Sequence, residues 1–195
     1  MPNRLNAAVR QRYACRDFVA DHALAPEQLD LLIEAGRLAP SAFGLEPWRF
    51  IVVTDAARRA AVARACLDQP AARTAAALIV VVALVAALDP ASGYVRDRLA
   101  AEARGQDARP IHAAYRAFHR ADSIAGWAVG QCNFAAAHIL LQAAHMGLGS
   151  CPIGGFDESA LATAIDLPPG EVPALVIALG ECRHAAPERI RKSPG

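Results

Sequence analysis

The sequence predicts a mixed α+β sandwich built as one domain over residues 1–195, and three observations support this prediction. A chain of 195 residues can bury a sizeable core without metals or disulfides. Its 54% hydrophobic content argues against disorder. Helical and strand-like patterns are interleaved along the chain, yet a long helix and several tight turns break any regular βαβ repeat.

The first predicted elements are an amphipathic helix, a strand and a second helix. Pro26 suits a first helical turn, and apolar residues then recur at helical spacing until Pro40. After the turn SAFGLEPW, the β-branched run at residues 50–53 predicts a strand. Asp55 is suited to cap the Ala- and Arg-rich helix that follows this strand.

The middle of the chain combines an apolar strand with a polar excursion. Residues 78–85 are apolar without alternation, which predicts a strand buried on both faces and central in its sheet. Residues 88–110 turn polar and charged, so we expect a lid or a surface loop there. Helical character returns by Ile111.

A long, almost wholly apolar helix is predicted from about residue 123 to residue 146, where Gly147 and Gly149 end it. We expect this helix to be buried all round, either centrally or against a second subunit. Asp157 is then suited to cap a short helix up to Ile165, and residues 172–179 predict a last strand before a basic tail.

Charge and hydropathy point to a small-molecule partner. The formal net charge of +1 gives no strong field to attract nucleic acid or an anionic membrane. The first residues show no signal-peptide pattern, and the most apolar run, residues 75–88, is shorter than the roughly 20 residues of a membrane span. We therefore expect a cytoplasmic protein without nucleic-acid or membrane partners.

The five cysteines lie far apart and include no CxxC pair. Free thiols in a reducing cytoplasm are the simplest interpretation. His138 and His145 are suited to share a helix face, but no Cys, Asp or Glu beside them completes a ligand set, so we predict no metal site.

Two segments in the first quarter of the chain are candidates for ligand binding. Arg12 and Arg16 flank aromatic residues at the expected end of a helix and are suited to clamp a phosphate, although a solvated arginine pair is the alternative. Residues 39–48 contain Pro40, Gly44 and Pro47, which form a rigid platform for a planar ligand or an ordinary connection between helix and strand.

Two further candidates lie near the carboxyl end. Gly154 and Gly155 follow an expected strand, and their lack of a Cβ would let backbone N–H groups approach a flat ring closely. The alternative is a simple turn capped by Asp157. Arg189 and Arg191 form either a surface tail or the other half of an anion clamp.

Several known signatures are missing from the sequence. It contains no GxGxxG after a strand, no GxxxxGK[ST] and no GxSxG. Nucleotide-fold dehydrogenases, phosphate-loop ATPases and α/β-hydrolases are therefore disfavoured.

Taken in order, the candidate segments resemble the nitroreductase family of FMN proteins, from about Arg10 to Lys192. The resemblance rests on RYACRDF, LAPSAFGLEPWRFIVV, QPAARTAAALIVVV, WAVGQCNFAAAHILLQAAHMGLGSCPIGGFD and ERIRK. It implies a homodimer whose subunits are three-layer α-β-α sandwiches with a central mixed sheet, and FMN in two equivalent clefts built by both chains. The implied cofactor-binding residues are Arg12, Tyr13, Ala14, Arg16, Ser41, Gln69, Pro152, Ile153, Gly154, Gly155, Arg189 and Arg191.

The resemblance also implies a role for the arginines. Arg12, Ala14 and Arg16 would hold the phosphate, the ribityl chain and the pyrimidine side of the flavin. Arg189 and Arg191 would close on the phosphate. Arg16 is our candidate for the positive charge near the N1–C2=O edge of the ring.

The remaining implied contacts concern the ring. Ser41 and its loop would come from the partner subunit, and Gln69 would contact the polar edge of the ring. The N–H groups of Gly154 and Gly155 would face N5 and O4. Gln131, on the long helix, is expected to be structural or interfacial.

Four positions depart from the family pattern. Ala14 stands where a serine is usual, Gly44 where many members have an asparagine, Glu46 where a glutamine is common and Gly154 where a glutamate is common. These changes bear on substrate range more than on flavin binding, because a backbone contact at Gly154 would tolerate its change.

The activity implied by the resemblance is hydride transfer from NADH or NADPH through flavin N5 to a nitroaromatic, a quinone or a similar small acceptor, by a ping-pong mechanism. We predict no catalytic side chain, because solvent can supply the protons. The alternatives are a flavin carrier or redox sensor without useful turnover, and another branch of the family, such as an enone reductase, a dehalogenase or a flavin-degrading enzyme.

Overall fold

The structure is a computed structural model that describes residues 4–20 and 23–193. The helices are α1 Arg4–Gln11, α2 Pro26–Arg37, α3 Ala56–Ala65, α4 Pro70–Thr74, α5 Gly93–Glu102, α6 Arg109–Phe118, α7 Ile124–His145 and α8 Glu158–Ala164. The strands are β1 Trp48–Val53, β2 Ala77–Ala83, β3 Gly149–Ile153 and β4 Val172–Gly180. The predicted α+β composition is confirmed.

The four strands form one sheet in the order β1-β2-β4-β3, so β2 is central as predicted. The expectation of a mixed sheet is wrong for the described strands, because all three pairings are antiparallel. The end of β1 at Val53 pairs with Leu78 near the start of β2, so the helices between them return the chain to the same end of the sheet. A parallel contact remains at one isolated bridge, between Ala14 and Ser150.

The sheet separates two hydrophobic cores, which confirms the three-layer sandwich. On one face, Ile79 and Val81 of β2 pack in a core with residues of α2 and α7. On the other face, Leu78 and Val80 share a core with residues of α3, α4 and α8. All of β2 is buried, as its unbroken apolar sequence predicts.

Helix α7 spans nearly the predicted residues, but the single subunit covers only part of its surface. One face of α7 packs against α2 and β4. The other face carries Phe134, whose side chain is 50% exposed. By length and composition α7 is apolar enough to cross a membrane, but its packing against the sheet is that of a core helix.

The polar excursion is ordered helix, which corrects the expectation of a lid or surface loop. Helix α5 begins at Gly93 after Ser92, whose side chain accepts a hydrogen bond from the Val95 N–H at 3.1 Å. Val95 and Leu99, four residues apart, are buried in the core. Charged residues around this apolar pair hid the pattern in the sequence.

Cys15 and Cys182 are paired as a disulfide, so the expectation of free thiols is wrong for these two residues. Cys66, Cys132 and Cys151 are free and buried. The pair is 167 residues apart in sequence. The fold brings the two cysteines together through an antiparallel bridge between Phe18 and Cys182.

Candidate functional site

Residues 12–18 run along the outer edge of β3. The Cys15 N–H donates to the Ser150 carbonyl at 3.0 Å, beside the parallel bridge between Ala14 and Ser150. Burial raises the pKa of the Cys151 thiol, and the positive charges of Arg16 and Arg12 oppose this rise. Both guanidinium groups therefore lie within electrostatic range of Cys151 in β3.

Three arginines from the two ends of the chain meet beside this edge. Partial burial lowers the pKa of Arg12, and the charges of Arg189 and Arg191 lower it further. Within residues 4–20 and 23–193, none of the ion pairs includes any of the three. The mutual repulsion of this cluster would be relieved by a bound anion.

The tail is folded back onto the end of α1. Arg189 donates from Nη2 to the carbonyls of Arg10, at 2.9 Å, and of Arg12. These carbonyls lie at the negative end of the helix dipole, where a cation is favoured. Arg191 donates to the Ile190 carbonyl at 2.6 Å.

The glycine turn follows directly after β3. Gly154 and Gly155 are exposed, and neither N–H donates to a protein acceptor among the described residues. A Cβ added at Gly154 would meet its nearest atom, Cδ1 of Leu175, only at 4.0 Å, so the turn faces open space. The turn thus leaves two backbone N–H groups without a protein acceptor among the described residues, and their role in ligand binding stays a prediction.

Gln69 lies against this turn, although it comes from a distant segment. Its Nε2 donates to the Gly155 carbonyl at 2.7 Å, which leaves Oε1 to accept from a ligand. Pro152 and Ile153 form the end of β3, where Ile153 is buried in the core and Pro152 is half-buried. Their contribution is to position the turn.

Tyr13 and Ala14 line a cavity of about 510 Å³ together with Arg16 and His184. The Tyr13 hydroxyl donates to the His184 carbonyl at 2.8 Å, which ties the segment to the tail. Ala14 is exposed and presents no polar side chain to this cavity.

Ser41 is not part of this cluster within one chain. It precedes β1, which occupies the opposite edge of the sheet from β3. Three strand spacings of roughly 4.8 Å separate the two edges, about 14 Å in all. Ser41 Oγ accepts from the Glu46 N–H at 2.8 Å, so its own O–H can still donate elsewhere.

The turn around Ser41 is held by residues that the sequence analysis did not single out. Arg98 of α5 donates to the Gly44 carbonyl at 2.8 Å from Nη2 and at 3.0 Å from Nε, and forms an ion pair with Glu46. The Tyr94 hydroxyl is 2.7 Å from the Leu45 carbonyl. The sequence did not reveal these contacts, because Tyr94 and Arg98 lie in the polar excursion of residues 88–110, which contains no recognisable motif.

Gln131 of α7 supports the same turn, as expected for a structural residue. Its Oε1 accepts from the Ala42 N–H at 2.9 Å. The turn is thus fixed to two helices, α5 and α7, before any ligand binds.

The edge of β3 therefore suits an elongated ligand with an anionic end and a flat polar end. The arginine cluster lies near Ser150 and the glycine turn begins at Gly154. Along a strand at roughly 3.3 Å per residue, these points are about 13 Å apart. A phosphate at one end and a ring with acceptor atoms at the other would match both groups of donors.

Comparison with known proteins finds relatives over most of the chain. The nitroreductase family model matches residues 9–181. An oxygen-insensitive NADPH nitroreductase of Helicobacter pylori (strain ATCC 700392 / 26695) is 27% identical over 190 residues, covering 95% of this chain and 90% of the relative. Protein DrgA of Synechocystis is 31% identical over 193 residues, covering 96% of this chain and 89% of the relative.

Solved structures share the fold. A nitroreductase-like protein from Streptococcus mutans has a TM-score of 0.87 at 22% identity, covering 99% of this chain and 96% of that one. A protein from Exiguobacterium sibiricum 255-15, solved in complex with FMN, has a TM-score of 0.81 at 22% identity, covering 97% and 93%. Because the family match spans most of the sequence, the chain belongs to the nitroreductase family.

Proposed function

We propose that this chain is an NAD(P)H-dependent oxidoreductase that binds FMN and reduces a small organic acceptor such as a nitroaromatic or a quinone. The name of the Helicobacter pylori relative includes NADPH, and the Exiguobacterium structure contains FMN. The observation that carries the proposal is the cluster of Arg12, Arg189 and Arg191 beside β3, in which the charges of Arg189 and Arg191 lower the pKa of Arg12. No carboxylate pairs with these three among the described residues.

The phosphate end of FMN fits this cluster. A phosphate of charge about −2 would replace repulsion among guanidinium groups with charge-assisted hydrogen bonds. Arg12 and Arg191 are the principal proposed ligands, because Arg189 already donates to two backbone carbonyls. Ala14 offers only its backbone to the ribityl chain.

The ring end of FMN fits the glycine turn. The N–H groups of Gly154 and Gly155 would orient the ring through N5 and O4, and Gln69 would contact its polar edge through Oε1. Arg16, within electrostatic range of Cys151 in β3, would place a positive charge beside the pyrimidine side of the ring.

Bound FMN supplies the hydride chemistry at its N5 position. The glycine turn and Gln69 would orient the ring, and Arg16 would neutralise charge at its pyrimidine edge. NADH or NADPH and the acceptor would use the same face of the ring in turn, which gives a ping-pong mechanism. Protons for the reduced acceptor would come from solvent.

We propose further that the active form is a homodimer. Ser41 lies at the opposite edge of the sheet from the arginines, so a second copy is the simplest source of a serine for this cleft. The open side of α7 also borders an apolar groove of about 520 Å³ between α1, α2 and α7, lined in part by Leu5, Ala35 and Leu141. A second chain seated there would cover both the groove and Phe134.

The proposed setting is the cytoplasm, with the whole chain acting as one FMN-binding domain. Its near-neutral charge supports a small-molecule acceptor in place of nucleic acid or a membrane surface.

The proposal is tested by the visible spectrum and the turnover of purified protein. We expect a yellow protein with close to one FMN per chain that oxidises NADH or NADPH when a quinone or nitroaromatic is present. A purified protein that is colourless and does not bind added FMN would contradict the proposal. Bound FMN without oxidation of either nicotinamide would favour a flavin carrier or redox sensor.

A further inference from the structure

Two of the five cysteines lie together at the base of the arginine tail, which we define as residues 183–193. The Cα atoms of Cys15 and Cys182 are 6.0 Å apart, within the usual range for a disulfide. Cys15 is buried within the segment that carries Arg12 and Arg16. Cys182 comes directly before the tail and borders a cavity of about 300 Å³ together with Arg12.

We infer that Cys15 and Cys182 form a reversible redox site that exchanges with low-molecular-weight thiols and disulfides, and that closing the bond holds the arginine tail beside Arg12. The second half of this inference rests on the proposed function, because it assigns the tail to the FMN phosphate.

Burial disfavours thiol exchange at the three free cysteines. Burial raises the pKa of Cys66 to about 11 and that of Cys132 to about 12, and it also raises the pKa of Cys151. These three thiols stay protonated near neutral pH, and a protonated thiol is a poor nucleophile.

Charged groups of both signs surround the pair. Arg12 and Glu181 line the cavity that Cys182 borders, and Arg16 lines the cavity that Cys15 borders. The charge of nearby Asp17 is offset by its ion pair with Arg183 at 3.2 Å. Cationic neighbours stabilise a thiolate, and partial exposure of Cys182 gives a small disulfide access to its sulfur.

Oxidation proceeds by two exchange steps that balance atoms and electrons. The Cys182 thiolate attacks a small disulfide, forming a mixed disulfide and releasing one small thiolate. The Cys15 thiolate then attacks Cys182 Sγ, which forms the internal bond and releases the second small thiolate. The two protein thiols are oxidised, the small disulfide is reduced to two thiols, and an excess of small thiol reverses both steps.

Closing the bond restrains the chain at Cys182, the residue directly before the tail. The flanking backbone contacts are single hydrogen bonds, from the Val19 N–H to the Glu181 carbonyl at 2.9 Å and from the Arg183 N–H to the Asp17 carbonyl at 3.1 Å. Every residue of the tail is exposed, so these bonds compete with water once the covalent link is broken.

Gly149 makes room for the pair. A Cβ at this position would collide with the sulfur of Cys182 and lie 3.1 Å from that of Cys15. The glycine therefore lets both sulfurs sit against β3.

The first experiment measures FMN affinity against redox state. Full-length apoprotein is equilibrated in buffers of oxidised or reduced glutathione, its thiols are counted by alkylation and intact mass, and FMN binding is followed by fluorescence. We expect three thiols in the oxidised chain and five in the reduced chain. We also expect FMN to bind about fivefold more weakly after reduction, as for a clamp that is closed only a fifth of the time.

Two variants identify the cysteines responsible. Cys182→Ser should bind FMN in both buffers with the affinity of the reduced wild-type chain. Cys66→Ala, which removes a buried thiol outside the pair, should keep the redox dependence. A chain that forms no internal bond at any glutathione ratio, or one that binds FMN equally in both states, overturns the inference.

A second measurement needs no flavin. Trypsin should cut FMN-free protein within the arginine tail several times faster after reduction, and equally fast in both buffers for Cys182→Ser. A chain that binds no FMN in either buffer but shows this difference contradicts the proposed function and supports the redox site. Equal cutting rates in both states overturn the redox site.

Discussion

Arg12 carries positive charge at a position where its surroundings already disfavour it. Its pKa is lowered by burial and by Arg189 and Arg191, so the apoprotein holds an electrostatic cost that a phosphate would remove. Loss of one of these charges is therefore expected to weaken anion binding without lowering the stability of the apoprotein.

Replacing Arg12 or Arg191 with Ala should weaken FMN binding by about 1.5–3 kcal/mol, the usual range for a charge-assisted contact. Stability of the apoprotein should not fall in parallel, because repulsion is relieved. Titration of apoprotein with FMN and thermal melting measure the two effects. Arg116→Ala, an exposed arginine of α6, serves as the charge-matched control. If Arg12→Ala and Arg191→Ala both bind FMN with the affinity of the wild type, the proposed phosphate clamp is refuted.

Two glycines give a sharp contrast between a role in binding and a role in folding. A Cβ at Gly154 has no neighbour closer than 4.0 Å, whereas a Cβ at Gly36 would lie 2.8 Å from Cζ of Phe50 and 2.9 Å from Cδ1 of Ile139. Gly154→Ala keeps the backbone N–H and should therefore keep both the apoprotein melting temperature and FMN binding, whereas Gly154→Pro removes the donor and should weaken FMN binding. Gly36→Ala should lower the melting temperature. The Gly154 N–H has no ligand role if Gly154→Pro binds FMN like the wild type.

At the residue level, local chemistry could be predicted but long-range pairing could not. Paired glycines after a strand indicate exposed backbone donors independently of the tertiary fold. The bond between Cys15 and Cys182 depends on two isolated bridges at the sheet edge, and no pattern in the sequence encodes them. The contact of Gln69 with Gly155 was anticipated only through family resemblance, because a single glutamine gives no signal of its own.

The turn between α2 and β1 is a strained element that its neighbours hold in place. Phe43 and Glu46 have positive φ angles of 59° and 43°, which cost non-glycine residues of order 1–3 kcal/mol each. Arg98, Tyr94 and the amide of Gln131 fasten the turn to α5 and α7. Helix α5, which lies within the polar excursion, thus helps to hold the turn in its conformation.

Arg98→Ala should loosen this turn, because the Gly44 carbonyl and the Glu46 carboxylate lose their donor. We expect a destabilisation of about 1–3 kcal/mol and faster hydrogen exchange at residues 41–46. Arg96→Ala is the control, because Arg96 lies on the same helix and its side chain bonds, within residues 4–20 and 23–193, to the Ala91 carbonyl alone. Identical exchange rates in the two variants would show that Arg98 does not hold the turn.

Elements with a strong apolar period were the predictable ones. The long helix and the central strand were placed within two residues of their observed ends, because their apolar runs admit few other structures. Strand direction was misjudged, because the number of helices between two strands does not reveal whether the chain crosses the sheet. The excursion was misjudged because only Val95 and Leu99 of α5 are buried.

The whole molecule is expected to work as a pair. Ala137→Glu places a charge on the open side of α7, so we expect loss of the dimer and of bound FMN together. If both chains build each cleft, FMN should also raise the melting temperature more at higher protein concentration. Light scattering with and without FMN measures the mass. Ala60→Glu, on an exposed position of α3, is the matched control.

A fully active monomer near 20.5 kDa would refute the two-chain cleft. The same conclusion would follow from an Ala137→Glu protein that keeps both its partner and its flavin. The cleft would then have to be built within one subunit, and Ser41 would have no part in it.

The meeting of Arg12 with Arg189 and Arg191 has a consequence for biosynthesis. Arg12 leaves the ribosome early and Arg189 and Arg191 leave it last, so the two halves of the proposed anion clamp can meet only when synthesis is complete. With the phosphate ligands assigned as proposed, we expect cofactor loading to follow release of the carboxyl end from the ribosome. We expect a chain truncated after Gly180 to keep the four described strands and to lose the proposed phosphate ligands Arg189 and Arg191.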